Sequence, residues 1–164
     1  MSYAGQTILV LGGSGALGSR FTEQFIDSGA TVIATASSTS ALERVPTGAV
    51  PVVVDLENPA SINDFITWMT TNYSSLDGIG IASGQVGFAP LEATTEDNMS
   101  ALMRINFIGP AAIVNGLHPL LKAHSNEKAF VVGLTGVVVE QTFPGMSAYT
   151  ASKTALSSYL QTLE

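Results

Sequence analysis

Two residues late in the sequence, Tyr149 and Lys153, have the types and the spacing needed for proton transfer. Residues four positions apart lie on one face of a helix, so the phenol and the ammonium group would be neighbours. A free tyrosine has a pKa of about 10 and is a poor base at neutral pH. An ammonium group one helical turn away favours the phenolate form. The pair is therefore a candidate acid–base group, although such a spacing also arises by chance in many chains.

A glycine-rich turn near the start of the sequence could bind an anion. The apolar run 7–11 ends at Gly12, and an amphipathic pattern follows with apolar residues at Leu17, Phe21 and Phe25. This order predicts a strand, a tight turn and a helix. Glycines let backbone N–H groups approach a ligand closely, and a helix N-terminus attracts negative charge. The segment is either a cradle for a dinucleotide pyrophosphate or a plain strand-to-helix turn.

Four further apolar runs have the length of strands and are separated by stretches of helical or loop character. They lie at 31–35, 50–54, 77–82 and 129–132. Strands that alternate with helices predict an α/β fold, here a Rossmann-like, doubly wound parallel sheet with strand order 3-2-1-4-5. Pro51 cannot donate to a strand ladder, which suits the edge position of the third strand in that order.

The helical stretches carry their own start and interruption signals. Asn58 followed by proline predicts the start of the helix after the third strand. A longer helical pattern covers 95–121, and within it Pro110 has no N–H to donate. The carbonyl of Asn106 therefore loses its α-helical partner, and we expect a kink at this point. The apolar stripe of the last helix continues to the final residue, so we expect that helix over 147–164.

The glycine turn and the Tyr149–Lys153 pair, taken together, resemble the short-chain dehydrogenase/reductase family. Gly12 and Gly18 fit the pattern G-x-x-x-G-x-G, with Ala16 at the middle position. The resemblance implies a dinucleotide-binding domain and an oxidoreductase that transfers a hydride between a nicotinamide cofactor and a carbonyl or secondary alcohol.

The same resemblance implies individual roles for site residues. Tyr149 would be the general acid/base and Lys153 its electrostatic partner, which also holds the nicotinamide ribose. The main-chain carbonyl of Asn106 would hold a water that relays protons to the lysine; a merely structural asparagine is the alternative. Asp55 would contact the adenine ring, or else cap the next loop. The implied cofactor-binding residues are Gly12, Ser14, Gly15, Leu17, Gly18, Ser37, Asp55, Leu56, Ser83, Gly84, Tyr149 and Lys153.

The sequence departs from the family pattern in two places. Where the family usually carries Asn-Asn-Ala-Gly, this chain has Ile-Ala-Ser-Gly at 81–84. The family's serine, thirteen residues before the tyrosine, polarises the substrate carbonyl, and the residue at that position is Gly136. Thr135 is one residue away and could supply the hydroxyl only if the loop shifts. We therefore count Thr135 among the candidate catalytic residues.

The choice between NAD and NADP depends on the loop after the second strand. Common dinucleotide folds select NAD with an acidic residue about 20 residues past the glycines, and this loop has none. Ser37 and its neighbouring hydroxyl residues could instead contact a 2′-phosphate, helped by Arg44. The cofactor is expected to be NADP or NAD, with NADP favoured. A polar turn beside a solvated arginine is the alternative.

Composition bounds the remaining possibilities. The 164 residues carry a net charge of −7, which argues against nucleic acid as a partner, and contain no cysteine, which excludes disulfides and thiolate metal sites. No apolar run approaches the roughly 18 residues of a membrane span, so we expect a cytoplasmic protein without a metal or a membrane partner. Residues 1–164 are expected to form a single NAD(P)-binding domain, the front part of a longer protein or a naturally shortened one. The resemblance implies a homodimer or homotetramer.

The leading hypothesis is an NAD(P)(H)-dependent oxidoreductase that reduces a carbonyl or oxidises a secondary alcohol of a small-molecule substrate. A second hypothesis is a protein of the same fold that binds the cofactor without catalysis, as a sensor or scaffold, which Gly136 would explain. A third is an inactive fragment whose cofactor site needs further C-terminal sequence.

Overall fold

A parallel sheet forms the centre of the computed structural model, which describes residues 2–123 and 129–163. Its strands are β1 (Thr7–Leu11), β2 (Thr31–Ala36), β3 (Val50–Val53), β4 (Gly78–Ile81) and β5 (Phe130–Gly133). All neighbours pair in parallel, in the order β3-β2-β1-β4-β5. The predicted α/β fold and strand order are thus confirmed, including the edge position of the strand that contains Pro51.

Helices connect these strands and cover both faces of the sheet. They are α1 (Ala16–Asp27), α2 (Pro59–Asn72), α3 (Glu96–Met103), α4 (Gly109–Lys122) and α5 (Ser147–Gln161). Short 3₁₀ turns occupy Thr39–Arg44, Leu91–Ala93 and Val137–Val139. The start of α2 is as predicted, because the Asn58 side chain accepts a hydrogen bond of 2.9 Å from the N–H of Ala60.

The two faces of the sheet are packed by different helices. Side chains alternate along each strand, so Ile8 and Val10 of β1 lie on one face of the sheet and Leu9 and Leu11 lie on the other. The first face packs against Phe21 and Phe25 of α1. On the second face, buried apolar residues of β1, β2 and β4 pack against those of α2, α4 and α5. This double cover leaves the carboxyl ends of the strands as the place for a ligand.

The backbone between α3 and α4, where a kink is predicted, is not α-helical. Residues Arg104–Ile108 form a π-helical segment, in which the N–H of Gly109 donates to the carbonyl of Arg104. A π-helical turn contains one residue more than an α-helical turn, and such turns are frequent at functional sites. The segment directly precedes Pro110, which has no N–H to donate. It carries Asn106, whose side chain is fully buried.

One side chain of α1 and the end of α5 also differ from the sequence-based expectation. Leu17 is 62% exposed, because it lies in the first turn of α1, and the helix buries Gly18 and Thr22 instead. The last helix ends at Gln161, where the N–H of Thr162 bonds back to the carbonyls of Tyr159 and Leu160. The apolar stripe therefore predicted the face of α5 that carries the buried Leu156 but placed its end too late.

Candidate active site

The turn between β1 and α1 is in contact with two other strands. Gly12 has φ of +82°, a conformation that residues with side chains rarely adopt. A Cβ atom at Gly12 would lie 2.7 Å from the backbone N and Cα of Ser83, which follows β4. The N–H of Gly12 donates to the hydroxyl of Thr35 on β2 over 2.9 Å. Glycine is therefore required here, and the turn is fixed against both neighbouring strands.

The first turn of α1 packs directly on this glycine turn. A Cβ atom at Gly18 would overlap the carbonyl of Gly12, so no side chain fits between helix and turn. Gly15 is the N-cap residue of α1, and among the described residues no side chain caps the helix and no acidic residue lies in its first turn. The N–H of Gly15 donates to the Gly12 carbonyl over 3.0 Å, and the N–H groups of the first turn that follow it are free to bind an anion, which the helix dipole favours.

An open cleft of about 440 Å³ lies at the carboxyl ends of β1, β2 and β4, and we call it the glycine cleft. Its volume is typical of small-molecule and cofactor sites. Its wall is formed by Gly12, Ser14, Gly15, Thr35, Ser37, Arg44, Val54, Asp55, Leu56, Glu57, Ala82, Ser83, Gly84, Gln85 and Ile105. Most of the predicted cofactor-binding residues thus come together. Four of them, Leu17, Gly18, Tyr149 and Lys153, do not line the glycine cleft.

One polar atom in the wall of the glycine cleft lacks a partner. The side chain of Ser83 is 9% exposed, and its hydroxyl makes no hydrogen bond within the described part of the chain. A buried hydroxyl without a partner costs free energy and calls for an explanation. A ligand that brings a polar group to this point would remove the cost. The free helix N-terminus and this hydroxyl both fit a dinucleotide cofactor.

The residues expected to select the cofactor also reach the glycine cleft. Ser37 lies directly after β2, and Arg44 ends the following 3₁₀ turn. Asp55 lines the same wall, and one of its carboxylate oxygens accepts a hydrogen bond of 2.9 Å from the N–H of Glu57. Asp55 therefore does cap the next loop, as the alternative supposed, while it remains within reach of a ligand.

Lys153 is a buried cation beside the glycine cleft. Its side chain is 4% exposed, and its ammonium group donates to the carbonyl of Leu134, after β5, over 2.9 Å. Burial lowers the pKa of Lys153, because desolvation disfavours the charged form. A Cβ atom at Gly84, in the wall of the glycine cleft, would lie 2.9 Å from this nitrogen. The ammonium group is therefore held directly behind the cleft wall.

The side chain of Asn106 connects the cleft wall to the helix that carries Tyr149. Its Oδ1 accepts from the N–H of Gln85 over 2.8 Å, and its Nδ2 donates to the Gln85 carbonyl and the Ser152 hydroxyl, each over 2.9 Å. The Ser152 hydroxyl in turn donates to the carbonyl of Tyr149 over 2.7 Å. Asn106 thus has a structural role through its side chain.

The hydroxyl of Tyr149 faces the loop after β5. A Cβ atom at Gly136 would lie 3.8 Å from that hydroxyl oxygen. Position 136, thirteen residues before the tyrosine, is therefore close to its hydroxyl group. Gly136 has φ of +90° and ψ of 163°, a region occupied essentially by glycine alone. Thr135 is half-buried, and its hydroxyl makes no hydrogen bond to any described residue. The backbone here is therefore built for a glycine and presents no side-chain donor at 136.

A second cleft of about 230 Å³ adjoins this site. Its wall combines apolar and polar residues of the loop after β4, of α3 and of the start of α5: Gln85, Val86, Gly87, Phe88, Ala89, Thr94, Asn98, Ala101, Leu102, Gly145, Ser147 and Ala148. Of the residues that the structure describes, Gln85 alone lines both clefts. The two cavities therefore share a border at Gln85.

The described residues contain no group of three or more histidine, cysteine, aspartate or glutamate side chains that could hold a metal ion. Over the same residues, none of the helices combines the length and the apolar character needed to cross a membrane.

Comparison with known proteins assigns the chain to a family. The family model described as short chain dehydrogenase matches residues 6–164. The chain belongs to the short chain dehydrogenase family. The predicted resemblance is therefore confirmed.

Individual relatives are identical to this chain at about a quarter of the aligned positions. A Drosophila melanogaster protein, dehydrogenase/reductase SDR family protein 7-like, is 28% identical over 97% of this chain and 52% of its own length. A short-chain dehydrogenase structure from Streptomyces avermitilis is also 28% identical, with a TM-score of 0.86 over 97% of this chain and 59% of that one. A Shigella flexneri structure, complexed with NADP, shares the fold at 24% identity and a TM-score of 0.85, over 96% of this chain and 70% of that one.

The chain spans only part of the length of these relatives, about half in the case of the Drosophila protein. The activity and substrates of whole short chain dehydrogenases are therefore not transferred to it by similarity alone, and they enter below as proposals.

Sequence reasoning missed three residues that hold this site together. Thr35 accepts the Gly12 N–H, Gln85 is bound by Asn106, and Ser152 joins Asn106 to the turn of Tyr149. A hydroxyl residue at the carboxyl end of the predicted second strand was a usable signal for Thr35. The other two depend on contacts between segments 21 and 46 residues apart, which no local pattern reveals.

The lowered pKa of Lys153 predicts a pH dependence of stability. The unfolded chain binds the lysine proton up to its ordinary pKa of 10.5, whereas the folded protein releases it at lower pH. The free energy of unfolding of the wild type, relative to Lys153→Met, should therefore rise as pH increases between the two pKa values and be constant below both. Urea unfolding from pH 7 to 10.5 measures this difference. The exposed Arg20→Met is the control and should show no such trend; a flat or falling difference for Lys153→Met contradicts the assignment.

Proposed function

We propose that this protein is an NAD(P)(H)-dependent oxidoreductase that reduces a carbonyl group or oxidises a secondary alcohol. The observation that carries the proposal is the position of the Lys153 ammonium group behind the wall of the glycine cleft, where a Cβ atom added to Gly84 would lie 2.9 Å from its nitrogen. A buried cation, one helical turn from Tyr149, thus lies beside a cleft that is suited to a dinucleotide. Membership in the short chain dehydrogenase family supports the same class of reaction.

The proposed reaction requires a proton donor and a hydride donor that meet where the two clefts adjoin. A bound reduced nicotinamide cofactor supplies the hydride, one hydrogen with two electrons, to the carbonyl carbon. Tyr149 gives its hydroxyl proton to the carbonyl oxygen, so that C=O becomes CH–OH. In the reverse direction the phenolate of Tyr149 accepts the alcohol proton. The second cleft would hold the remainder of a small, largely apolar substrate.

Lys153 supports this proton transfer by its charge. The ammonium group is almost buried and has the Leu134 carbonyl as its hydrogen-bond acceptor, so its field at the tyrosine is only weakly screened by water. Proton return to this region would pass by the main-chain carbonyl of Asn106, which has no α-helical donor because residue 110 is proline. The fixed side chain of Asn106 would hold that carbonyl in place.

NADP is the proposed form of the cofactor. Ser37 and Arg44 lie in one wall of the glycine cleft, where a hydroxyl and a guanidinium group suit a 2′-phosphate. Because the net charge of the chain is −7, the 2′-phosphate, which is a dianion, needs a cation close by to bind. Assembly into a homodimer or homotetramer stays a prediction from the family.

Gly136 supports a second candidate function, cofactor binding without turnover. The family's serine is absent, and the φ of +90° disfavours any replacement by a residue with a side chain, at a cost of about 1–3 kcal/mol. A protein that only senses the redox state of its cofactor would tolerate this glycine. The two functions differ in whether the bound cofactor is consumed.

Replacing Tyr149 by phenylalanine tests the proton-transfer role. Loss of the hydroxyl removes the proton donor, so we expect kcat to fall by about 10²–10⁴-fold while the Kd of NADP stays unchanged. The measurement is NADPH consumption by the full-length protein against a panel of ketones and aldehydes. Tyr73→Phe, in which the ring packs on Trp68 outside both clefts, is the matched control and should retain full activity. Undiminished turnover in Tyr149→Phe would exclude the assignment.

Replacing residues near the proposed 2′-phosphate tests the cofactor preference. Arg44→Gln removes a charge-assisted hydrogen bond, and Ser37→Asp brings a carboxylate toward the phosphate. Each should weaken NADP binding by about tenfold or more and leave NAD binding within about twofold. Calorimetric titration with both dinucleotides gives these Kd values, and Arg20→Gln on the surface of α1 is the control. Equal loss for NAD and NADP would place the 2′-phosphate elsewhere.

A further inference from the structure

Gln85 occupies the place where a reacting substrate would meet the cofactor. It lines both the glycine cleft and the second cleft, and it is the sole described residue that does so. If the dinucleotide fills the first cleft and the substrate the second, hydride transfer must take place where the two meet. The residue at that border is therefore close to the reacting carbon and oxygen.

The main chain of Gln85 is fixed, whereas its side chain is free. Its N–H and its carbonyl are both bound by the buried Asn106 side chain, over 2.8 and 2.9 Å. The carboxamide of Gln85 is on an exposed residue and makes no hydrogen bond to another described residue. The backbone of Gln85 is therefore held in place, and the N–H groups of its carboxamide are available to a ligand.

The proposed reaction also leaves a role open for a side-chain donor. Reduction builds negative charge on the carbonyl oxygen, and a second donor besides the acid stabilises it. Gly136 has no side chain to offer. Ser83 lies in the wall of the glycine cleft alone and Ser147 in that of the second cleft alone, while Thr135, like Tyr149, lines neither. Gln85 is the side chain with N–H donors at the border itself.

We infer that the carboxamide of Gln85 donates a hydrogen bond to the substrate carbonyl oxygen. Gly136 cannot fill this role because it has no side chain. This inference rests on the proposed function. As hydride reaches the carbonyl carbon and the proton of Tyr149 reaches the oxygen, the amide of Gln85 holds that oxygen without itself gaining or losing a proton. It also favours substrates whose carbonyl can point to the border while an apolar body occupies the second cleft.

The test compares variants that keep the backbone clamp. Asn106 binds only main-chain atoms of Gln85, so Gln85→Leu and Gln85→Glu both preserve it. With NADPH and acetophenone, the full-length Gln85→Leu protein should lose about 10²-fold in kcat with an unchanged Kd for NADP. Gln85→Glu keeps the side-chain shape but replaces the donors by a carboxylate, and it should lose at least as much. Gln161→Leu, at the end of α5 and outside both clefts, should match the wild type.

A second measurement does not depend on turnover. In ¹⁵N-labelled protein saturated with NADP⁺, the side-chain NH₂ signals of Gln85, assigned by their loss in Gln85→Leu, should shift when acetophenone is added. If the wild type is active and Gln85→Leu stays within threefold of it, the inference about Gln85 is overturned and the oxidoreductase proposal stands. If the wild type consumes no NADPH, the oxidoreductase proposal fails, and the NH₂ signals decide: a shift supports the contact with the carbonyl compound, and no shift overturns it.

Discussion

The structure depends on backbone atoms that touch where β1 turns into α1. Gly18 rests on the carbonyl of Gly12, and Gly12 rests on the backbone of Ser83 at the end of β4. No Cβ atom fits at either glycine, so the first helix, the turn after the first strand and the end of the fourth strand pack backbone against backbone. This contact sets the N-terminus of α1, with its free N–H groups, at the carboxyl edge of the sheet. The glycine cleft is a consequence of that placement.

A second set of contacts joins the glycine cleft to the residues that would do chemistry. Lys153 and Asn106 are both buried, and both reach the loop after β4, one at Gly84 and the other at Gln85. Desolvating a cation and a side-chain amide is costly unless each has partners. The Leu134 carbonyl, the Ser152 hydroxyl and the Gln85 backbone provide them. The polar network thus fixes α5, and with it Tyr149, against the cleft wall.

The fold was largely predictable because its signals are local. The apolar runs gave the strands, the Asn58 cap gave the start of α2, and the glycine turn with the Tyr149–Lys153 pair indicated the family. Other features were not predictable, since they arise from packing between distant segments. Leu17 lies outside the core, the interruption before Pro110 takes the form of a π-helical segment, and the conformation of Gly136 has no sequence pattern of its own. The partners of Asn106 likewise required the folded chain.

We propose that the glycine cleft holds a nicotinamide dinucleotide whose reactive end reaches Tyr149. A crystal structure of the full-length protein with bound NADP⁺ tests this most directly. We predict the pyrophosphate at the N-terminus of α1, a ligand atom within hydrogen-bond distance of the Ser83 hydroxyl, and the nicotinamide ring beside Tyr149 and Lys153. A dinucleotide bound outside the glycine cleft, or bound there with its nicotinamide directed away from Tyr149, would contradict the account.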